Sequence, residues 1–455
     1  MPKNDSIRKS QLLLAAISCL IIAFIIISIP IDDDMYRLLA LINGEIACME
    51  LFMFYRQPFS LHKVVNFFIL IFFVVANAIQ YSNMSVVSTI SIILKSEDYV
   101  SFQLWVLVIL IIFNITYFLF RNKMVLCKSM RFNSGCDCNL TKFINCRLIL
   151  CISFIAMILV ICNYWNDPLQ LIIRFDDYVF VDEKPEENTM SNLVFSKIVR
   201  SIPFICYILS CNYAFGKRQK ILLFLFMLVA LFPTSLSRNA MAMYWMPVLF
   251  YKWPLIMKRN IFIIVLLFGI LFLFPFMNNF RDYNIGNGID WGFDFSYMNT
   301  LHFDSSQEFM IAMRDNIVTN GYQLIGVLLF FVPRSIWVSK PVGSGEFLAS
   351  KHADAFPNIS MPFWGEGYIN FGIAGIILFT LILSAFCNYF DFKYWTNNSS
   401  SKNENLAPIY FILLGAMIFV MRGDLMSSYA YTLSIIVDYL LIYKIAKKSI
   451  SVCKK

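Results

Sequence analysis

Five basic residues stand where a greasy chain has little reason to keep them. Arg238 lies in SLSRNAM, Arg281 in NNFRDYN, Arg314 in IAMRDN, Arg334 in VPRSIW and Lys340 in VSKP. Guanidinium groups grip phosphate oxygens through paired hydrogen bonds, so a rim of such groups suits a phosphate-bearing ligand. For proton transfer there are only three histidines. His302 and His352 share the late stretch with four of the cations, and an imidazole takes up a proton near neutral pH. The carboxylates in that stretch are Asp304, Glu308, Glu346, Asp354 and Glu366, the last in FWGEGYINFG. Each residue also has a plainer reading. Arg281 and Arg314 are followed at once by Asp282 and Asp315, as in a surface ion pair. An arginine near a membrane surface can simply reach the headgroups. An acid at a helix start is favoured by the helix dipole alone.

What positions these residues is set by composition. Of 455 residues, 59% are hydrophobic and 15% charged, against about 25% charged in soluble domains. The bilayer is the solvent for such a chain. Hydropathy marks spans near 11–30, 38–54, 64–82, 100–120, 147–163, 197–215, 220–236, 240–253, 260–277, 366–388, 407–421 and 428–445. The first follows Lys3, Arg8 and Lys9 and ends in Pro30 and an Asp triplet, which reads as a retained helix rather than a cleaved signal. The expected fold is an all-α polytopic membrane protein of about 12 transmembrane helices, one membrane domain over 1–455.

Loop charge gives orientation. Arg121 to Arg147, Lys217 to Lys220, Lys252 to Arg259 and the Lys-rich C-terminus belong in the cytoplasm, and Asp32 to Asp34 and the acidic 164–196 loop belong outside. Both termini are then cytoplasmic, and the net charge of +8 needs no nucleic acid to explain it. The run Leu324–Val332 is far too short to cross. If it did cross, the C-terminal lysines would land outside. We therefore read 278–365 as one long extracytoplasmic loop between the ninth and tenth spans, with 322–338 as a re-entrant or interface-lying helix. Arg238 falls at a turn between two short spans, which draws it below the membrane surface. There it needs a cavity or a partner. Glu45, Glu50, Arg200 and Asp438 sit within apolar runs, where Arg200 is expected to meet an acid from another helix.

Negative findings narrow the function. The sequence has no P-loop, no Gly-rich dinucleotide fingerprint, no HExxH and no GxSxG. Cys127, Cys136, Cys138 and Cys146 fit no zinc spacing and have no histidine among them, so they read as reduced thiols and no metal is expected.

The segments SLSRNAM, VPRSIWVSKPVGSGEF and MPFWGEGYINFGIAGIIL, with a long outer loop late in a 12-span chain, resemble Wzy-type polymerases of bacterial O-antigen and related polysaccharides. The resemblance implies a multi-pass glycosyltransferase of the inner membrane that works on its periplasmic face without a cofactor or metal. It would transfer a growing glycan from undecaprenyl pyrophosphate to the next lipid-linked repeat unit, alongside a flippase and a chain-length regulator. By that likeness Arg238, Arg334 and Lys340 would hold pyrophosphate, with Arg281 and Arg314 added by position in the loop. The acceptor's base would be His352 or Glu366. A lipid-linked oligosaccharide flippase or other transporter is the main alternative. An O-antigen ligase is the next.

Overall fold

The computed structural model describes residues 2–53, 57–122, 144–173, 195, 198–258, 261–273, 276, 298–352, 359–397 and 406–452. Arg281, Asp354, the acids from Asp176 to Glu187, and Cys127, Cys136 and Cys138 lie outside them. Among the described residues there is no strand. We number the helices α1 Pro2–Ser28, α2 Asp34–Met53, α3 Leu61–Ser82, α4 Ser96–Asn122, α5 Cys146–Asn163, α6 Ile202–Asn212, α7 Lys217–Ala230, α8 Arg238–Lys252, α9 Ile261–Phe268, α10 Ser305–Arg314, α11 Tyr322–Leu328, α12 Ser344–Lys351, α13 Phe363–Asn397, α14 Leu406–Arg422 and α15 Leu425–Val452. Each apolar run marked in the sequence overlaps one of these helices. Among the described residues, seven helices are long and apolar enough to cross a membrane: α1, α3, α4, α5, α7 (counted through Ser235), α13 and α15.

Two packing cores form. In the first, α3 is buried almost along its whole length among α2, α4, α13 and α14. Buried on all sides, α3 finds its polar partners inside the protein. The Ser60 hydroxyl accepts from Lys63 N at 3.2 Å. The Asp391 carboxylate, from α13, accepts from Leu61 N at 2.8 Å, His62 N at 3.2 Å, the Tyr117 hydroxyl at 2.9 Å, and the Tyr410 hydroxyl. One side chain thus caps α3 and ties it to α4 and α14. Asp391→Ala should cost several kcal/mol, at about 1–3 for each buried donor left without an acceptor. Thermal unfolding in detergent checks this, with Asp391→Asn expected to be milder. The second core gathers α5, α6, α7, α8 and α15.

The two cores meet where α8 packs antiparallel on α14. Phe250 stacks on Phe411 at 4.8 Å, and Gly415 lies so close that a side chain there would meet the Ala242 carbonyl.

The helix α13 is not one rod. At Phe371 and Gly372 the backbone leaves helical geometry, with Gly372 at φ 61° and ψ −145°. Beyond the break the chain folds back. Phe363 meets Phe379 with ring centroids 5.1 Å apart, and Gly367 presses its backbone against Gly375. In a straight helix those pairs would stand about 24 and 12 Å apart. Residues 363–370 are therefore a short, fully buried arm of a helical hairpin.

The bend frees carbonyls that the 315–324 loop then uses. Thr319 N donates to Ile369 O at 2.7 Å, Gly321 N to Asn370 O at 2.8 Å, and Leu324 N to the Asn370 side chain at 2.8 Å.

This changes the reading of 278–365. Only Tyr322–Leu328 of the expected 322–338 helix is helical, and the rest is turns. Pro333 bars a longer helix, having no N–H for the Leu329 carbonyl, and Lys340 satisfies carbonyls past the helix end. It donates to Phe330 O at 2.6 Å and Val332 O at 3.0 Å. Nor is the stretch a plain surface loop. Ser305 to Ala312 of α10 are buried against α3, α4 and α13.

Candidate functional site

The helices sort their charges by end. Leu61, Tyr117, Asp391 and Tyr410 mark one end of the first core, and Gln80, Asp304, Glu366 and Arg422 mark the other. The second end holds most of the residues singled out in the sequence.

At its centre are two carboxylates. Glu366 is fully buried in the first turn of α13. It accepts from the Ser344 hydroxyl at 2.6 Å and from Leu425 N at 2.9 Å. Asp424 accepts from Gly345 N at 3.3 Å and Ser427 N at 3.2 Å. The two acids therefore straddle the same pair of helix starts, those of α12 and α15, where exposed N–H groups and the helix dipole favour negative charge. A side chain at Gly343 would run into the Asp424 carboxylate. Burial pushes the Asp424 carboxyl above the usual carboxylate range. Partial desolvation also raises the Glu346 carboxyl, a shift that Arg334 opposes and Asp424 reinforces.

A further acid, Asp304, sits beside Arg422. Buried Asp304 pairs with Arg422 at 3.2 Å and accepts from Ser360. Arg422 also donates to His302 O at 2.7 Å and Leu301 O at 2.8 Å.

The basic residues divide into three groups. Arg334 and Lys340 come together. Arg334 donates to the Lys340 carbonyl at 2.8 Å, while burial and Arg334 hold the Lys340 ammonium below the usual lysine range. Around them Phe331, Ile336 and Val338 are 62%, 78% and 85% exposed, so the 329–341 arm shows apolar side chains on a cationic frame. Lys340→Met keeps the stem and removes both carbonyl bonds. Charge-assisted bonds of about 1.5–3 kcal/mol would be lost, and chymotrypsin should cut after Phe331 or Trp337 at least several-fold faster.

Arg314 joins His352 instead. Both bind Asp315, Arg314 at 2.9 Å and His352 at 3.1 Å, at the far end of α12 from Glu366.

Arg238 is buried at the first position of α8, behind the Ser237 cap. Its turn is fixed by Arg200, which donates to Ala230 O and Ser235 Oγ, both at 2.9 Å. The expected acid for Arg200 is replaced by these groups and the Tyr164 ring, and Asp438 accepts from Ser201 instead. The structure thus unites Arg334 with Lys340, and Arg314 with His352, but sets Arg238 in the second core.

Family models, curated proteins and solved structures offer no match to this chain. The site rests on its own geometry. Sequence reading had missed Arg422, Asp424 and Asp391. The signal for the first two was MRGDLMS, a two-residue turn, Gly423 and Asp424, between apolar helices with a charge on each side of the glycine.

Proposed function

We propose that this protein extends a polyprenyl-pyrophosphate-linked glycan by glycosyl transfer at the Glu366 end, the activity of Wzy-type O-antigen polymerases. The observation that carries the proposal is the joining of three chemistries in one unit. The 329–341 arm offers apolar side chains for an isoprenoid tail and the cations Arg334 and Lys340 for pyrophosphate, and the helix it leads into starts on Glu366 and Asp424, which offer a carboxylate for the acceptor hydroxyl. Fixed cations stabilise charge as it develops on the departing pyrophosphate. A carboxylate takes the acceptor proton as its oxygen attacks the anomeric carbon. Arg238, Arg281 and Arg314 are further cations of the same proposal, and His352, held by Asp315, is the other candidate base. The reading includes about 12 spans, cytoplasmic termini, a periplasmic active end in a bacterial inner membrane, and action beside a flippase and a chain-length regulator.

The test uses purified protein in liposomes with a polyprenyl-pyrophosphate-linked repeat unit. A ladder of whole repeats, formed without sugar nucleotide, is expected. Elongation that stops with chelator and returns with magnesium would count against a metal-independent reaction. The buried polar groups at the Asp391 end, Glu50, His62 and Lys63, favour a transporter as the second reading. Repeat units that cross the bilayer unlengthened would support it.

A further inference from the structure

Glu366 carries a contradiction for any role as a base: it is wholly buried, and the group covering it is the start of α12. Asp424 binds that same start through Gly345 N. Two like charges on one pair of helix starts repel unless a proton lies between them. We propose that Glu366 and Asp424 share one proton and with it clasp α12, and the 329–343 arm leading into it, as a cap over Glu366. Losing the proton releases the cap. Asp424 is then a positioning residue.

The surroundings set the sign. From α12 the pair faces Ser344 and Glu346, the latter a further negative charge. From the arm, Arg334 reaches toward Glu346 and itself binds the Lys340 and Pro341 carbonyls. From the α14–α15 turn, Arg422 is committed to Asp304 and two carbonyls. Two further acids therefore stand close by, and the nearby cations are already engaged. Burial raises the Asp424 carboxyl above its ordinary value of 3.8. A raised carboxyl favours the folded clasp fully below that ordinary value, and the benefit fades as pH rises through the raised one. The cap is shut in acid and loosens toward alkaline pH.

The link to glycosyl transfer rests on the function proposed above, but the clasp is measured without substrate. Amide hydrogen exchange is followed across α12 in the full chain, from pH 6 to pH 9, after correction for the intrinsic exchange rate. In the parent, protection at Gly345 and Phe347 should fall at least 10-fold over that range. Asp424→Asn keeps an oxygen for Gly345 N and removes the charge, so its protection should stay within 2-fold. If that variant unfolds, Glu366→Gln likewise leaves a single ionisable carboxyl in the pair for the same measurement. A flat parent profile, or a neutral variant that still loses protection, would overturn the clasp. A confirmed clasp in a protein that elongates no glycan would leave it standing and remove only the catalytic reading.

Discussion

Glu366→Gln is expected to reduce elongation by about 10²- to 10⁴-fold, the usual contribution of a general base, while the protein still folds. The amide oxygen can still accept from Leu425 N, and the amide nitrogen can donate to the Ser344 hydroxyl, which now accepts. The melting temperature should therefore move little while the ladder of products disappears. Elongation at the parent rate would remove Glu366 from the chemistry and leave His352 as the remaining candidate. The companion His352→Gln decides that case, because Asp315, itself paired with Arg314, holds the imidazole at the opposite end of α12.

Gly375→Ala should damage both folding and activity. Its new methyl group would land on the Gly367 carbonyl oxygen, and backbone cannot swing aside as a long side chain can. Overpacking of this kind costs about 1–3 kcal/mol. Gly372→Ala adds a different strain, because φ 61° with ψ −145° is a conformation that L-residues adopt only at a cost of about 1–3 kcal/mol. The first change pushes apart the arms of the hairpin that carries Glu366, and the second strains its bend. Elongation should fall along with the melting temperature. Gly269→Ala is the control: a side chain there meets open space, so both readings should hold. If Gly375→Ala melts and elongates like the control, the close packing of the hairpin is wrong.

The helices were legible in the sequence because long apolar runs announce themselves. The short apolar run Leu324–Val332 is likewise no long helix, α11 being Tyr322–Leu328. The hairpin in α13 was not legible. Hydropathy sums a window and cannot see that one glycine at positive φ turns the chain back inside it. The GEGYINFGIAG spacing, with glycines at 367 and 375 facing each other, was the available sign. Asp391 and Asp424 were missed for a related reason. An acid in or beside an apolar run is noticed only when something says which helix end it serves, and that knowledge is tertiary. Glu366 was found by its place at a helix start. What no pattern disclosed is that it shares its donors' helices with Asp424.

The short helices of the second core end inside the protein. At 1.5 Å per residue, α6 and α8 extend about 17 and 23 Å, less than a hydrocarbon layer about 30 Å thick. Both lie largely buried, while the membrane-length α5 and α7 carry exposed apolar side chains such as Phe154, Ile155, Ile221 and Leu225. Full-length helices therefore face outward on that flank, and the ends of α6 and α8 must find their partners in protein rather than in headgroups, as Arg200 does with Ala230 and Ser235.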